Sequence, residues 1–470
     1  MVNIRQRTAP QREKRQGTLS AWYGSISSLL READDTGLVQ RIRTFAQETP
    51  SDLILALELL STLQGVAIVV HGPAGCSAGL HQSKNPDLHW AVTNINERDS
   101  ILGGDAKLRA TIRQVHADHA PGAIIIVSTP VVIINNDDID SVVEELRDEL
   151  GIPLIPVFTD GFRSKIAATG YDVVSHALLK ELLSRPIEET TGPHINLLSV
   201  QESGGNIATL QALLAELGIS SQPFPRFFDL QDASRITHAR LAVTLDGGDA
   251  DYAGVVLQEQ LAQPYLNPPA PVGIAATTQW LTAIADSLGL KESAETVIRH
   301  HLRQLDGALQ SAAHLRGRKV FIHLGAGQAI SFWYLARELG LEVVGIKVPF
   351  LDSDQVPALQ EIARSHETLP LLVGHGQAFE EIALLKSARP DLYISHGVDA
   401  LPAARLGIAT LPLDQVNFLG FAGVANLLEQ IDRRLSHGHF QRFLAEGDNE
   451  PYSHGWLKKS AYWYIKHEVK

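Results

Sequence analysis

One local pattern recurs along the 470 residues and leaves few folds open to the chain. Short runs rich in Val, Ile and Leu end in Gly, Pro, Ser or His: GVAIVVHGP, GAIIIVSTP, IPLIPVFTDGF, HINLLSVQESGG, RLAVTLDGG, RKVFIHLGAG, LEVVGIKVPF, LPLLVGHG, PDLYISHG and IATLPL. Between most of them lie segments such as DIDSVVEELRDELG, NIATLQALLAELG and AISFWYLARELG, apolar at i, i+3 and i+4 and closed by Gly. A strand that is apolar at every position must be covered on both faces, and the intervening helices supply the covers. The pattern predicts βαβ units and an α/β fold of three Rossmann-like, doubly wound parallel-sheet domains.

Breaks in the pattern suggest the boundaries. RPIEETTGPH (185–194) replaces the helical period with Pro, Gly and Thr, and a long helix-rich stretch over 277–317 precedes RKVFIHLGAG. The expected organisation is an N-terminal arm over 1–49, domains over 50–190, 191–315 and 316–430, and an aromatic C-terminal tail over 431–470 that includes WLKKSAYWYIK.

Charge and cysteine usage exclude several classes. Lys plus Arg number 40 against 53 Asp plus Glu, a net charge of −13, which opposes the basic face that nucleic-acid binding needs. The longest apolar stretches, such as GAIIIVSTPVVII, fall short of the roughly 20 residues of a membrane span. A single cysteine allows no intrachain disulfide, and the start, MVNIRQRTAPQREKRQ, has no apolar h-region. The expectation is a cytoplasmic protein with neither nucleic acid nor membrane as partner.

In open α/β sheets ligands bind beyond the carboxyl ends of the strands. Four such ends carry histidine: His71, His323, His375 and His396. Each can ligate metal, move protons or simply be capped by its loop. LGAGQAI (324–330) supplies the tight-turn half of a dinucleotide fingerprint, with Ile330 where a third small residue belongs, and neither GxxxxGK[ST] nor GxSxG occurs. HGPAGC (71–76) holds the only cysteine. Gly72 and Gly75 permit positive φ and close backbone approach, Pro73 stiffens the turn, and its N–H groups can form a nest for a thiolate or sulfide. Cys76 is then either a small buried hydrophobe or a ligand, and as a ligand it supplies one thiolate where an iron–sulfur cluster ordinarily needs four.

HGPAGCSAG, TNINERDSILGGDAKL (93–108), GAIIIVSTPVVIINNDDIDSVVEEL (122–146) and IPLIPVFTDGFRS (152–164) together resemble the first domain of the nitrogenase component 1 superfamily. PYLNPPAPVGIAATTQWLTAIA (264–285), FLGFAGVANLLEQI (418–431) and QREKRQGTLSAWYGSISSLL (11–30) resemble its later blocks and N-terminal arm. The superfamily includes molybdenum–iron protein chains, cofactor-assembly scaffold chains and nitrogenase-like reductases, methylthio-alkane reductase among them. Chains of the group that carry a full half of a bridging cluster present three cysteines. Here Pro50 and Ser51 stand where the first would be, Thr129 or Pro130 where the third would be, and Cys76 alone remains.

The resemblance implies a one-cysteine, beta-type partner subunit of a two-component reductase. Cys76 would be the metal ligand to a 4Fe-4S or larger bridging P-cluster-like iron–sulfur cluster shared with a homologous catalytic, alpha-type subunit in a heterotetramer. His71, Gly72, Pro73, Gly75, Ser77 and Thr129 would surround it, and an ATP-dependent iron protein would deliver electrons. No catalytic residue is expected in this chain, since the active-site cofactor would lie in the partner. The alternative is a scaffold subunit for assembling a nitrogenase-type cofactor. Asp137, Asp138 and Glu97 are expected in structural or docking roles, the Asp pair opening a helix through its dipole.

Overall fold

The computed structural model describes residues 18–36, 51–83, 85–159, 166–184 and 194–437, together with Gly161, Phe443 and Gly455. The expected linker over 185–193, most of the C-terminal tail, and the arm residues 1–17 and 37–50 lie outside the described residues.

Fourteen strands form three sheets among the described residues: β1 (Trp22–Ser25), β2 (Val66–His71), β3 (His89–Val92), β4 (Ala123–Ser128), β5 (Leu154–Val157), β6 (His194–Ser199), β7 (Ser220–Pro225), β8 (Leu241–Thr244), β9 (Tyr265–Leu266), β10 (Lys319–His323), β11 (Glu342–Val348), β12 (Pro370–Val373), β13 (Leu392–Ser395) and β14 (Ala409–Pro412). The first sheet runs β3-β2-β4-β5 and the second β7-β6-β8-β9, both wholly parallel. The third runs β1-β12-β11-β10-β13-β14 and is parallel except at β1, which pairs antiparallel with β12. The fold is that of three Rossmann-like α/β domains.

The first sheet shows why the strands read as unbroken apolar runs. Successive strand side chains point to opposite faces. Ile68, Val70, Ile125 and Val127 pack with residues of helices Asp52–Leu60 and Thr169–Leu183. Ala67, Val69, Ile124 and Ile126 pack on the other side with Leu108, Ile112, Val142 and Leu146 of helices Asp105–His119 and Ile139–Leu150. Every residue of β2 and β4 is therefore buried.

Part of the expected arm builds onto the third sheet. β1 zips Trp22 to Val373 and Ser25 to Pro370, and the following helix, Ile26–Thr36, lies against helix Val356–Ser365. Helices Gly273–Leu288 and Lys291–Ser311 connect the second sheet to the third and pack on the last long helix, Gly420–Ser436.

The Gly325-x-Gly327 pair performs a packing task. A Cβ on Gly327 would come within 2.4 Å of the Asp246 carbonyl oxygen, so the bare backbone of the third domain rests directly on that of the second.

Candidate functional site

The strand order reverses between β2 and β4, and a crevice opens where their carboxyl ends diverge. His71 ends one strand and Thr129 follows the other. The Thr129 hydroxyl donates to the His71 carbonyl oxygen at 2.9 Å, bridging the two loops. Gly72 makes this approach feasible, because a Cβ there would stand 2.1 Å from Thr129 Oγ1. Neither Gly72 nor Gly75 has positive φ, so the expected left-handed turn is replaced by close approach at Gly72 alone. Gly75 has open space where a Cβ would be.

Pro73 precedes a run of 3-10 turns over Ala74–Gln82, and the Cys76 N–H donates to the Pro73 carbonyl oxygen at 3.0 Å. The Cys76 side chain is half-buried, with its inner side against the core of the first domain. Burial pushes the thiol pKa up, and a hydrogen bond with Thr129 opposes that shift. Ser77 is buried and turned away, its hydroxyl donating to the Ala74 carbonyl oxygen at 2.8 Å. It braces the turn from beneath.

His71 is wholly buried and held from both ring nitrogens: Nδ1 lies 3.1 Å from Thr93 Oγ1 and Nε2 lies 3.1 Å from Asp137 Oδ2. Burial lowers its pKa and Asp137 works against that, so the net direction favours the neutral ring. Thr93 Oγ1 also accepts the Gly72 N–H at 2.9 Å. The NINERDSILGGD segment thereby clamps the cysteine turn, and Gly104 leaves just enough room, since a Cβ there would meet Asp137 Oδ2 at 2.6 Å and His71 Cε1 at 2.9 Å.

The two aspartates part company. Asp138 caps helix Ile139–Leu150 through the Ser141 N–H, as the helix-dipole reading expects, whereas Asp137 faces inward to His71. Glu97 is exposed in the first turn of helix Glu97–Leu102. Sequence reasoning missed Thr93 and Gly104; their signal was the polar, glycine-bearing loop that follows β3.

The other strand-end histidines do not join this site. The His323 Nδ1 lies 2.7 Å from the Tyr393 hydroxyl, His396 meets Gln328, and His375 is half-buried with its Nε2 buried and unpaired. No group of three or more His, Cys, Asp or Glu among the described residues could hold a metal ion. No described helix is long and apolar enough to cross a membrane.

The carboxyl edge of the first sheet also carries exposed apolar side chains. Helices Glu97–Leu102 and Pro130–Asn135 touch one another there and expose Ile101 (82%), Leu102 (71%) and Ile134 (69%).

Comparison with known proteins bears on the whole chain. Residues 51–436 match the family model described as nitrogenase component 1 type oxidoreductase. The nitrogenase iron-molybdenum cofactor biosynthesis protein NifE of Nostoc sp. is 26% identical over 80% of this chain and 80% of its own length. The nitrogenase molybdenum-iron protein alpha chain of Methanothermobacter marburgensis is 24% identical over 76% of this chain and 81% of its own. The solved structure "Nitrogenase Cp1 at pH 5" superposes with a TM-score of 0.76 at 15% identity, covering 92% of this chain and 96% of that one. With a family match over residues 51–436, the chain belongs to the nitrogenase component 1 type oxidoreductases.

Proposed function

We infer that the chain is one subunit of a nitrogenase-like assembly in which Cys76 gives a single thiolate to an iron–sulfur cluster shared with a homologous subunit. The observation that carries this reading is a half-exposed lone cysteine at a strand-order reversal, hydrogen-bonded to Thr129, on a domain whose carboxyl edge also exposes Ile101, Leu102 and Ile134. A buried packing cysteine needs no apolar rim open to solvent.

The donor set fits a share of a cluster, not a whole one. One thiolate meets one of the four positions such a cluster ordinarily requires, so the remaining ligands come from the covering subunit. When bound, the cluster supplies one-electron transfer. This chain's residues prepare the ligand. Gly72 and Pro73 fix where the sulfur emerges, Thr129 holds a hydroxyl beside it, and neutral His71 locks the turn to Asp137 without adding charge. Electrons would arrive from an ATP-dependent iron protein docked across the two subunits.

The cofactor-assembly scaffold is the second reading, and the relatives favour it specifically, because NifE proteins recur among them. In that role the chain would hold the shared cluster without reducing a substrate of its own.

Co-purification of the chain with its homologous subunit, followed by iron analysis and electron paramagnetic resonance, tests the reading. The expected result is a cluster signal in the pair that neither chain gives alone. Turnover with an ATP-driven reductase then separates the reductase role from the scaffold role. A pair that contains no iron would refute both.

A further inference from the structure

The third sheet has its own reversal of strand order. From β10 the chain steps outward to β11 and β12, then returns to β13 and β14 on the other side, so a second crevice lies between the carboxyl ends of β10 and β13. His323 ends β10, Ser395 ends β13 and His396 follows it. His396 also lines a cavity of about 540 Å³ where the domains meet, together with Arg226 and Glu202, whereas His323 is not part of that wall.

Behind His323 stands a chain of buried polar groups. The His323 Nδ1 lies 2.7 Å from the Tyr393 hydroxyl, and that hydroxyl donates to Glu381 Oε1. Glu381 Oε2 accepts from Lys347 Nζ at 2.7 Å, and Nζ also donates to the Gly376 carbonyl oxygen at 3.1 Å. Tyr393, Glu381 and Lys347 are all buried. The chain ties β10, β13 and β11 to helix Ala378–Ala388.

The direction of these bonds fixes the histidine. A hydroxyl has one proton, and Tyr393 gives it to the carboxylate, so the bond from the ring is donated by Nδ1–H. Nε2 then carries the lone pair. It has no hydrogen-bond partner among the described residues, and the His323 side chain keeps 7% of its surface exposed, in contrast to His375, whose Nε2 is sealed. Burial and the Lys347 ammonium, with His375 and His396 on the neighbouring loops, push the pKa of the ring well down, so the ring is neutral at pH 7. Burial and Glu381 push that of Tyr393 up, which keeps its proton on oxygen.

We propose that His323 is a proton-accepting residue at the crevice of the third sheet, with Tyr393 and Glu381 as positioning residues that form a relay behind it. A water or small reactant presenting an O–H or N–H gives its proton to Nε2, the Nδ1 proton passes to Tyr393, and the Tyr393 proton passes to Glu381 Oε1. One proton enters at the ring, one is gained by the carboxylate, and no electron moves. A ring that is neutral between transfers hands a proton on instead of holding it. The inference does not rest on the role of Cys76.

Two measurements on the full chain test it. Nitrogen-15 NMR of histidine-labelled protein, with His323→Gln to assign the signal, should find the His323 proton on Nδ1 at pH 7. Diethyl pyrocarbonate acylates unprotonated imidazole nitrogen, so its attachment, mapped by mass spectrometry, reads whether Nε2 is basic and within reach. A reference histidine peptide with the ordinary pKa of 6.5 should slow about eightfold between pH 7 and pH 5.5, whereas His323 should slow less than twofold. Tyr393→Phe keeps the aromatic ring and removes only the hydroxyl; it should give a mixture of His323 tautomers and slow labelling at pH 7 at least threefold. The proposal is overturned if the proton sits on Nε2, if His323 is labelled at neither pH, if its rate falls in step with the peptide, or if Tyr393→Phe leaves tautomer and labelling as in the wild type. Iron content of the subunit pair should be the same with and without Tyr393→Phe, so failure here leaves the reading of Cys76 untouched.

Discussion

The carboxyl end of the first sheet and the junction of the second and third sheets occupy equivalent places in repeated domains, yet they have opposite chemistry. The first presents the half-exposed Cys76 and, on nearby helices of the same domain, exposed Ile101, Leu102 and Ile134. The second gathers Arg226, Glu202 and His396 around a cavity that Phe227, Leu413 and Phe418 also line. A strand-order reversal opens the first crevice and the meeting of domains the second, and the few residues after each strand decide the chemistry of both.

The largest expected effect falls on the framework of the enclosed site. Gly327→Ala drives a Cβ to 2.4 Å from the Asp246 carbonyl oxygen, backbone against backbone, with no flexible side chain to yield. We expect a loss of about 3 kcal/mol or more, read by urea unfolding. A loss below about 1 kcal/mol would show that the two domains can slide apart.

Next comes a pH dependence located at Glu202. Its folded pKa is raised to about 7 from an ordinary value of 4.5, so the native state holds a proton that the unfolded chain releases. Stability should be greatest below pH 4.5 as far as this group is concerned, and should fall as pH rises to about 7, by on the order of 3 kcal/mol. Glu202→Gln should flatten that part of the profile. An unchanged slope in the variant would move the titration elsewhere.

The cysteine turn has its own buried carboxyl, and it behaves differently. Asp137→Ala leaves His71 Nε2 buried without its partner and should cost about 2 kcal/mol at pH 7. The His71 pKa lies below its ordinary 6.5, so its contribution is present above pH 6.5 and is lost as pH falls below that value. The two sites should therefore respond to acid in opposite directions, a contrast that thermal melting from pH 5 to pH 8 can read. The smallest effect is a surface control: Arg113→Ala breaks an exposed pair with Glu149 and should leave the melting temperature unchanged.

These residues also mark how far the sequence could be read. Unbroken apolar runs identified β2 and β4, because burial on both faces leaves no alternation to misread. The Asp138 cap was legible because capping acts within one turn of its own residue. Cys76 stood out as the one cysteine in the chain, and Thr129 through the family resemblance, which puts a cysteine there in related chains. The His71–Asp137 pair spans 66 residues and depends on two loops meeting, which local pattern does not encode. The cavity was hidden for the same reason: SVQESGG and QPFPRFF carry Glu202 and Arg226 as ordinary strand ends, and only the docking of three domains turns them toward one space. The glycines of LGAGQAI resembled a phosphate turn because both tasks need a bare backbone, and the structure spends that freedom on the interdomain contact.

The central claim is that the two crevices are distinct, with iron belonging only to the first. Iron per complex should be measured side by side in the wild-type subunit pair, Cys76→Ala and Arg226→Gln, with circular dichroism to establish that each variant is folded. The account predicts that Cys76→Ala loses the cluster's iron while Arg226→Gln retains the wild-type amount. Wild-type iron in Cys76→Ala, or equal loss in both variants, would contradict it.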